Sequence, residues 1–340
     1  MKASDTALVI TSIAAPNAVL RAFAEGCRAN GHSFVVIGDR PSPSDFQLDG
    51  CDFWSLDRQA KMPFELAKLL PERHYARKNL GYLQAIRNGV SVILESDDDN
   101  IPYPAFWNPR QLEQSVDLVN DPGWVNVYRH FSNERVWPRG FPLEFLQAEV
   151  PVPVITVPCM APIQQGLADG DPDVDAIYRF TGILPIEFEE RARPVALDNG
   201  AWCPFNSQNT TWLEAAFPLL YLPSFCSFRM TDIWRSYVAQ RICWENGWKV
   251  MFHNATVRQE RNEHDILKDF NDEVIGYANN RAVCAKLDAL ELEPGSGNIL
   301  SNMRKCYAEF VAMGLIGPQE MPLLEAWGKD LGLIPSRSKA

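Results

Sequence analysis

The fold hangs on Val90-Ser91-Val92-Ile93-Leu94-Glu95-Ser96-Asp97-Asp98-Asp99-Asn100, an apolar, β-branched run that passes directly into three consecutive carboxylates. A buried strand of an α/β sheet has this composition, and its exposed C-terminal end delivers the acids to the sheet edge. Such an edge suits a divalent cation. Mg²⁺ and Mn²⁺ prefer oxygen ligands and are often held by one or two carboxylates together with the phosphates of a substrate. An acidic turn that only solvates a strand end explains the same letters, so the flanking sequence has to decide.

Upstream, residues 7–13 are β-rich, residues 16–24 have helical spacing that ends near Asn30-Gly31, and residues 33–37 form a second apolar run before Gly38-Asp39-Arg40-Pro41. Strand, helix, strand is a βαβ unit with a right-handed crossover. Ligands of open α/β sheets lie beyond the carboxyl ends of the strands, which places Thr11, Ser12 and Asp39 on the edge that carries Asp97. Taken singly, each also reads as a loop cap. Residues 51–56 give a further short strand and residues 64–70 a helical stretch. Residues 73–89 form a helix closed by Asn88-Gly89. Arg77, Lys78 and Asn79 fall in one turn of it, either as a solvated polar face or as charge that neutralises a diphosphate.

Downstream of Asn100 the chain is proline-rich, with strands expected at 124–128 and 153–157. Asp171, Asp173 and Asp175 crowd into five residues ahead of Arg179. Turn chemistry accounts for the bend, but the density of acids is unusual. Residues 202–212 set Asn206, Ser207, Gln208 and Asn209 between aromatics, a composition that suits sugar hydroxyls and C–H faces and equally a hydrogen-bonded turn. Residues 231–247 have the period of a helix, with Thr231 as N-cap and Gly247 just past the end. Asp232 lies in its first turn, where it either compensates the dipole, worth ~0.3–1 kcal/mol, or acts as a base or substrate anchor. Residues 248–253 read as a last strand ending in His253, a capped surface group or a metal ligand from a second strand. Arg258, Arg261, Asn262 and His264 follow. Helices are expected at 270–289, 300–313 and 322–331.

Composition narrows the class. A chain of 340 residues, 46% apolar, buries a large core, and a net charge of −11 argues against a nucleic-acid surface. The eight cysteines show no CxxC spacing and several sit in apolar runs, which reads as buried thiols in a reducing cytosol. Residues 1–5 lead straight into a strand without a long apolar signal core, and no window approaches 18 apolar residues. The expectation is a soluble, cytoplasmic protein without a transmembrane segment; peripheral membrane association and oligomeric state stay open.

Several segments in register resemble the STELLO-type glycosyltransferase domain and, more distantly, the plant reversibly glycosylated polypeptides, which act as UDP-arabinopyranose mutases. They are Ile37-Gly38-Asp39-Arg40 with Pro43, Arg77-Lys78-Asn79-Leu80-Gly81-Tyr82-Leu83 with Ala85-Ile86, and the Asp97-Asp98-Asp99 triplet. Pro172-Asp173-Val174-Asp175-Ala176, Phe205-Asn206-Ser207-Gln208-Asn209-Thr210, the run from Thr231 through Trp234-Arg235 to Arg241, and Arg261-Asn262 with His264 complete the set. The resemblance covers roughly residues 7 to 270. It implies a GT-A-like fold, a nucleotide-sugar donor, Mn²⁺ or Mg²⁺ at the Asp triplet, and Asp232 as base. His253 fits the mutase group and His264 the STELLO pattern as a further metal ligand.

The expected architecture is therefore an α/β, GT-A-like, mostly parallel sheet flanked by helices over residues 1–268, with a nucleotide half to about residue 100 and an acceptor half after it. Residues 269–340 are a C-terminal helical extension. The expected function is metal-dependent transfer of a sugar, from a UDP-sugar by preference, to a hydroxyl of a glycan or small acceptor, with inversion if Asp232 is the base. Asp97 and Asp99 hold the metal on the nucleoside diphosphate, and Asp98 either holds the ribose or faces water. Thr11, Ser12, Asp39, Arg77 and Lys78 serve the nucleoside and phosphates. Asp173, Asp175, Asn206, Ser207, Gln208, Asn209, Trp234, Arg235 and Arg261 are the substrate candidates. The rivals are a sugar-nucleotide mutase, a non-catalytic carbohydrate-binding or scaffold subunit, and a nucleotidyltransferase. The last is disfavoured by the lack of a Gly-rich phosphate loop.

Overall fold

The computed structural model describes residues 5–335 apart from Val154, Arg261, Glu263 and His264. The N-terminal part contains β1 (Thr6–Thr11), α1 (Ala18–Asn30), β2 (Ser33–Ile37), β3 (Asp52–Trp54), α2 (Leu56–Gln59), α3 (Leu66–Leu69), α4 (Lys78–Arg87) and β4 (Val92–Ser96). These strands pair in parallel in the order β3-β2-β1-β4. The period-2 alternation of the strands sorts their side chains between two helical layers. Ala7, Val9, Val35 and Ile37 pack with Leu80 and Leu83 of α4, whereas Leu8, Ile10, Phe34 and Val36 pack with Leu20 and Phe23 of α1. The fit against α4 is tight: a Cβ on Gly81 would meet Val9 Cγ1 at 2.5 Å.

The middle of the chain contains β5 (Asn100–Pro102), β6 (Glu113–Val119), β7 (Gly123–Trp124), β8 (Ile155–Met160), β9 (Ile163–Gly170), α5 (Ala176–Thr181), β10 (Val195–Leu197), β11 (Ala201–Trp202), β12 (Asn209–Leu213), α6 (Thr231–Glu245) and β13 (Val250–Gln259). The sheet continues β4-β12-β9-β13-β10-β6-β8, with β5 on β13, to eleven strands. β12 runs antiparallel between β4 and β9, and β13 is parallel to β9. The ends of β1, β2, β4 and β13 and the start of β12 therefore share one edge.

α7 (Ile266–Asp288), α8 (Ile299–Ala312) and α9 (Glu320–Leu333) complete the fold. Val283, Tyr307 and Trp327 from these helices belong to the same core cluster as Val9 and Leu80. α9 also reaches the N-terminal part, where the Asp330 carboxylate accepts hydrogen bonds from the Glu65 and Leu66 amides at the start of α3. Mixed sheet, flanking helices and C-terminal helices match the expected α/β, GT-A-like class. Among the described residues no helix is long and apolar enough to cross a membrane, and all eight cysteines are free.

Three local expectations are corrected. The strand expected at 124–128 shrinks to β7, and Val127–His130 is a 3-10 turn. Thr231 is not an N-cap: it already has helical φ and ψ, and a 3-10 turn over Phe228–Met230 precedes it. β13 runs on to Gln259, so His253 lies within a strand, next to a register shift, and does not end it.

Candidate functional site

The shared strand edge opens into a cavity of about 500 Å³. Thr11 and Ser12 follow from β1, Ile37 to Asp39 from β2, Asp97 to Asp99 from β4, Ser207 and Gln208 from the approach to β12, and Gln259 from the end of β13. The start of α6 brings Asp232. Open α/β sheets place ligands at such a carboxyl edge, and the apolar interiors of the strands are what push the polar residues to their ends.

The three aspartates face different partners. Asp97 is pushed up to about 7 by burial, which the Lys78 ammonium at 3.6 Å offsets only in part and which Asp99, Asp98 and Asp232 reinforce. Asp98 Oδ2 accepts from Ser12 Oγ at 2.5 Å, and Asn17 Nδ2 donates to the Asp98 carbonyl. Asp99 is raised by burial, against bonds donated by the Asn262 amide at 3.3 Å and Gln259 Nε2 at 3.2 Å. Each carboxylate keeps lone pairs to spare after these contacts. Among the described residues no three His, Cys, Asp or Glu side chains converge closely enough to hold an ion by themselves. The set fits a hard cation that takes one or two carboxylates here and its remaining oxygens from a phosphorylated ligand. The donor set is what favours it: three adjacent carboxylates with free lone pairs line one cavity.

Across the cavity, Arg139 grips two acids. Its Nε and Nη2 lie 2.7 and 2.8 Å from the oxygens of Asp173, its Nη2 lies 3.0 Å from both oxygens of Asp232, and its Nη1 donates to the Arg229 carbonyl. Burial alone would raise Asp232; the guanidiniums of Arg139 and Arg235 and the bonds from Arg139 and the Ser207 amide outweigh it and hold the carboxyl below its usual value. Asp232 is therefore ionised at neutral pH and ready to accept a hydrogen bond.

Thr11, Ser12, Asp39, Arg77, Asp97, Asp98, Asp99, Asp173, Ser207, Gln208 and Asp232 line the cavity as the sequence leads one to expect. Two of them are partly committed to the fold: Asp39 accepts the His74 and Arg40 amides, and Arg77 donates to Gln59, Leu70 and Pro71. Other expectations are corrected. Lys78 has no exposed side-chain surface and cannot touch a ligand in the cavity. Arg235 is buried in an ion pair with Glu95 at 2.8 Å, and the Trp234 indole donates to Asn280. Asp175 caps α5 and accepts from the Trp137 indole. Asn206 accepts the Gln208 amide in the approach to β12, and Asn209 donates to the Leu167 carbonyl and the Thr256 hydroxyl, tying β12 to β9 and β13. His253 bonds through Nδ1 to the Asn254 carbonyl, lines no part of the cavity, and is pushed down to about 3 by burial and Arg110. Arg261 and His264 lie outside the described residues.

The cavity also holds residues that sequence reasoning passed over, among them Tyr75, Arg139, Arg179, Phe228, Arg229 and Gln259. Arg139 sits in an aperiodic loop between prolines, where nothing local marks it. Gln259 would have been found from the length of β13. Tyr75 lies within the stretch expected as a helix, where nothing local marks it as a site residue.

Fold and cavity define an α/β domain whose sheet edge gathers carboxylates around a pocket of ligand size. The family model for STELLO glycosyltransferases matches residues 229–336, from the turn before α6 to the C-terminal helices. Two Arabidopsis thaliana proteins are similar: Probable glycosyltransferase STELLO2, 34% identical over 270 residues, and Probable glycosyltransferase STELLO1, 32% identical over 255. They cover 72% and 68% of this chain, and the chain spans 35% and 33%, about a third, of their length. The chain belongs to the STELLO-type family. A solved structure titled only as a mycobacterial protein aligns with a TM-score of 0.39 and 9% identity, over 82% of this chain and 74% of its own.

Proposed function

We propose that this chain is a glycosyltransferase domain that moves a sugar from a nucleoside-diphosphate sugar, a UDP-sugar by preference, to a hydroxyl of a glycan or small acceptor. The observation that carries the proposal is the convergence on one cavity of Asp97 to Asp99, the β1 and β2 strand ends, and an ionised Asp232 from the start of α6. Family membership and the names of the relatives support the same activity.

Asp97 and Asp99 would hold Mn²⁺ or Mg²⁺, which when bound supplies Lewis-acid stabilisation of the leaving diphosphate. Thr11, Ser12 and Asp39 receive the nucleoside at the β1 and β2 ends. Gln208, which lines the cavity and is braced by the bond from its Nε2 to Gln259, would pair with a sugar hydroxyl. Asp232 takes the proton of the acceptor hydroxyl. Its lowered pKa makes it a weak base at rest, but the hydroxyl becomes far more acidic as its bond to carbon forms, so proton transfer comes late. A base on the face opposite the leaving group gives inversion.

The test is turnover. Incubation with a panel of nucleoside-diphosphate sugars and hydroxyl acceptors, with and without Mn²⁺, should release the nucleoside diphosphate and give a glycosylated product. Isomerised donor without transfer would replace this proposal with a mutase, and neither product with any donor would sink both.

A further inference from the structure

Lys78 was expected at the diphosphate, yet its ammonium is sealed inside the protein with no exposed side-chain surface. Its three N–H groups are accounted for: they point to Tyr75 Oη at 2.8 Å, the Ser96 carbonyl at 3.0 Å and the Ser207 carbonyl at 3.4 Å. A lysine this deep is costly unless it is fully paired, and its partners are the residues that flank the reacting carboxylates. We propose that Lys78 is a positioning residue that fixes Tyr75 and Ser207, and that these two hydroxyls hold Asp97 and Asp232 in a set geometry across the cavity. The proposal rests on the glycosyl-transfer reading above and deepens it.

The link is continuous. Tyr75 Oη lies 3.3 Å from Asp97 Oδ1 and 2.6 Å from Ser207 Oγ. Ser207 donates to Asp232 Oδ2 from its amide at 3.1 Å and from Oγ at 3.2 Å. Tyr75 has one hydroxyl proton and two lone pairs, of which Lys78 occupies one. The proton therefore serves one carboxylate or the other. If Tyr75 donates to Asp97, Ser207 Oγ donates to Tyr75 and Asp232 keeps the Ser207 amide and Arg139 but loses the Ser207 hydroxyl. If Tyr75 donates to Ser207, the Ser207 hydroxyl turns to Asp232. Rotation of two hydroxyls, with no covalent bond broken, moves one hydrogen bond from the donor side of the cavity to the acceptor side. Asp232 is freest to accept a proton when the pair points toward Asp97. A second tie runs alongside, from Glu95 on β4 to Arg235 on α6. The end of β4 and the start of α6 are thus held to each other at two levels.

The prediction separates positioning from ligand contact. Tyr75→Phe removes one oxygen and keeps the ring. Lys78→Met removes the charge at similar volume. Transfer kinetics are read together with the Kd of a nucleoside diphosphate plus Mn²⁺, and folding is checked by circular dichroism. Both variants should lower kcat by about 10- to 100-fold, the scale of a misplaced reacting group, with KM for the donor and Kd for the diphosphate within about threefold of wild type. Tyr75→Phe combined with Ser207→Ala should be little worse than the worse single variant, because both cut the same link. A tenfold weaker diphosphate Kd with kcat retained in Lys78→Met, or a Tyr75→Phe enzyme within twofold of wild-type kcat, would overturn the proposal. If Lys78→Met fails to fold, the Tyr75→Phe result decides. A wild type that turns over no sugar nucleotide overturns the functional reading and this proposal with it; an active wild type beside an equally active Tyr75→Phe overturns this proposal alone.

Discussion

The buried pair Arg235–Glu95 gives the sharpest stability prediction. The two side chains are 1% and 0% exposed, and Nη1 meets Oε1 at 2.8 Å. Glu95 also accepts from the Tyr82 hydroxyl and the Trp212 indole, while Arg235 lies 4.9 Å from the Trp212 ring centre. The guanidinium is under-used: its Nε and Nη2 are buried without a hydrogen-bond partner. Two effects oppose each other in Arg235→Met. Removing an under-used cation relieves desolvation, but Glu95 is left as a buried charge with neutral donors only. Stranding a buried charge costs about 3–5 kcal/mol, and the relief returns part of it, so the net loss should be about 2–4 kcal/mol. At about 2–4 °C per kcal/mol for a large domain, the melting temperature should fall by roughly 4–16 °C. Urea unfolding at pH 7.5 measures it. The double variant Glu95→Gln with Arg235→Met removes the stranded charge and should recover at least about 1 kcal/mol of the single variant's loss. A single variant that costs under about 1 kcal/mol, or a double variant that costs the sum of the two singles, would refute the pairing as the source of the stability.

Three further outcomes are expected. In chelator, wild type should lose stability as pH rises from about 4 toward 7, because the folded-state carboxyl of Asp97 is raised to about 7 and the folded protein prefers it protonated. The slope should flatten above that and be shallower in Asp97→Asn, where the other raised carboxyls, Asp99 and Asp175 among them, still contribute. With 32% of the side chain exposed, solvent screening limits the effect to about 1–2 kcal/mol; identical pH profiles would contradict it. Gly81→Ala should cost about 1–3 kcal/mol by overpacking, since its methyl would sit 2.5 Å from Val9 and 2.9 Å from Ile37, and an unchanged melting temperature would show that α4 can move off the sheet. Glu320→Ala should cost about 2–4 kcal/mol, because its buried carboxylate accepts from the Tyr221 hydroxyl and from the Ser224 and Phe225 amides that set the loop before α6; an unchanged urea midpoint would deny that role.

The N-terminal βαβ unit was legible because its apolar residues alternate cleanly between two helical layers, and the Asp triplet because it abruptly ends such a strand. β9 and β12 were not. Ile163 to Gly170 and Asn209 to Leu213 are wholly buried, yet Gln164, Gln165, Asn209 and Thr210 break the apolar pattern that marks a buried strand. Their side chains are satisfied inside the sheet, as in the bonds from Gln165 to the Asn209 carbonyl and from Thr210 to Gln165, and only tertiary contacts reveal that. The same limit governs the site. Residue type flagged Asp232 correctly as lining the cavity but also flagged Trp234 and Arg235, two and three residues further along α6 yet turned into the core. Lys78 looked like a phosphate ligand because charge is visible in a sequence and burial is not.

The claim that matters most is that Asp97 to Asp99 and the β1 and β2 ends receive a nucleoside diphosphate together with a divalent cation. A thermal-shift titration of wild type and Asp97→Ala with nucleoside diphosphates, with and without Mn²⁺, tests it directly. Ligand at 100 times its Kd stabilises by about 2.7 kcal/mol, or roughly 5–10 °C. Wild type should show that shift with a nucleotide and Mn²⁺ together, and Asp97→Ala should lose it. No shift in wild type with any nucleotide, metal present or absent, would contradict the claim.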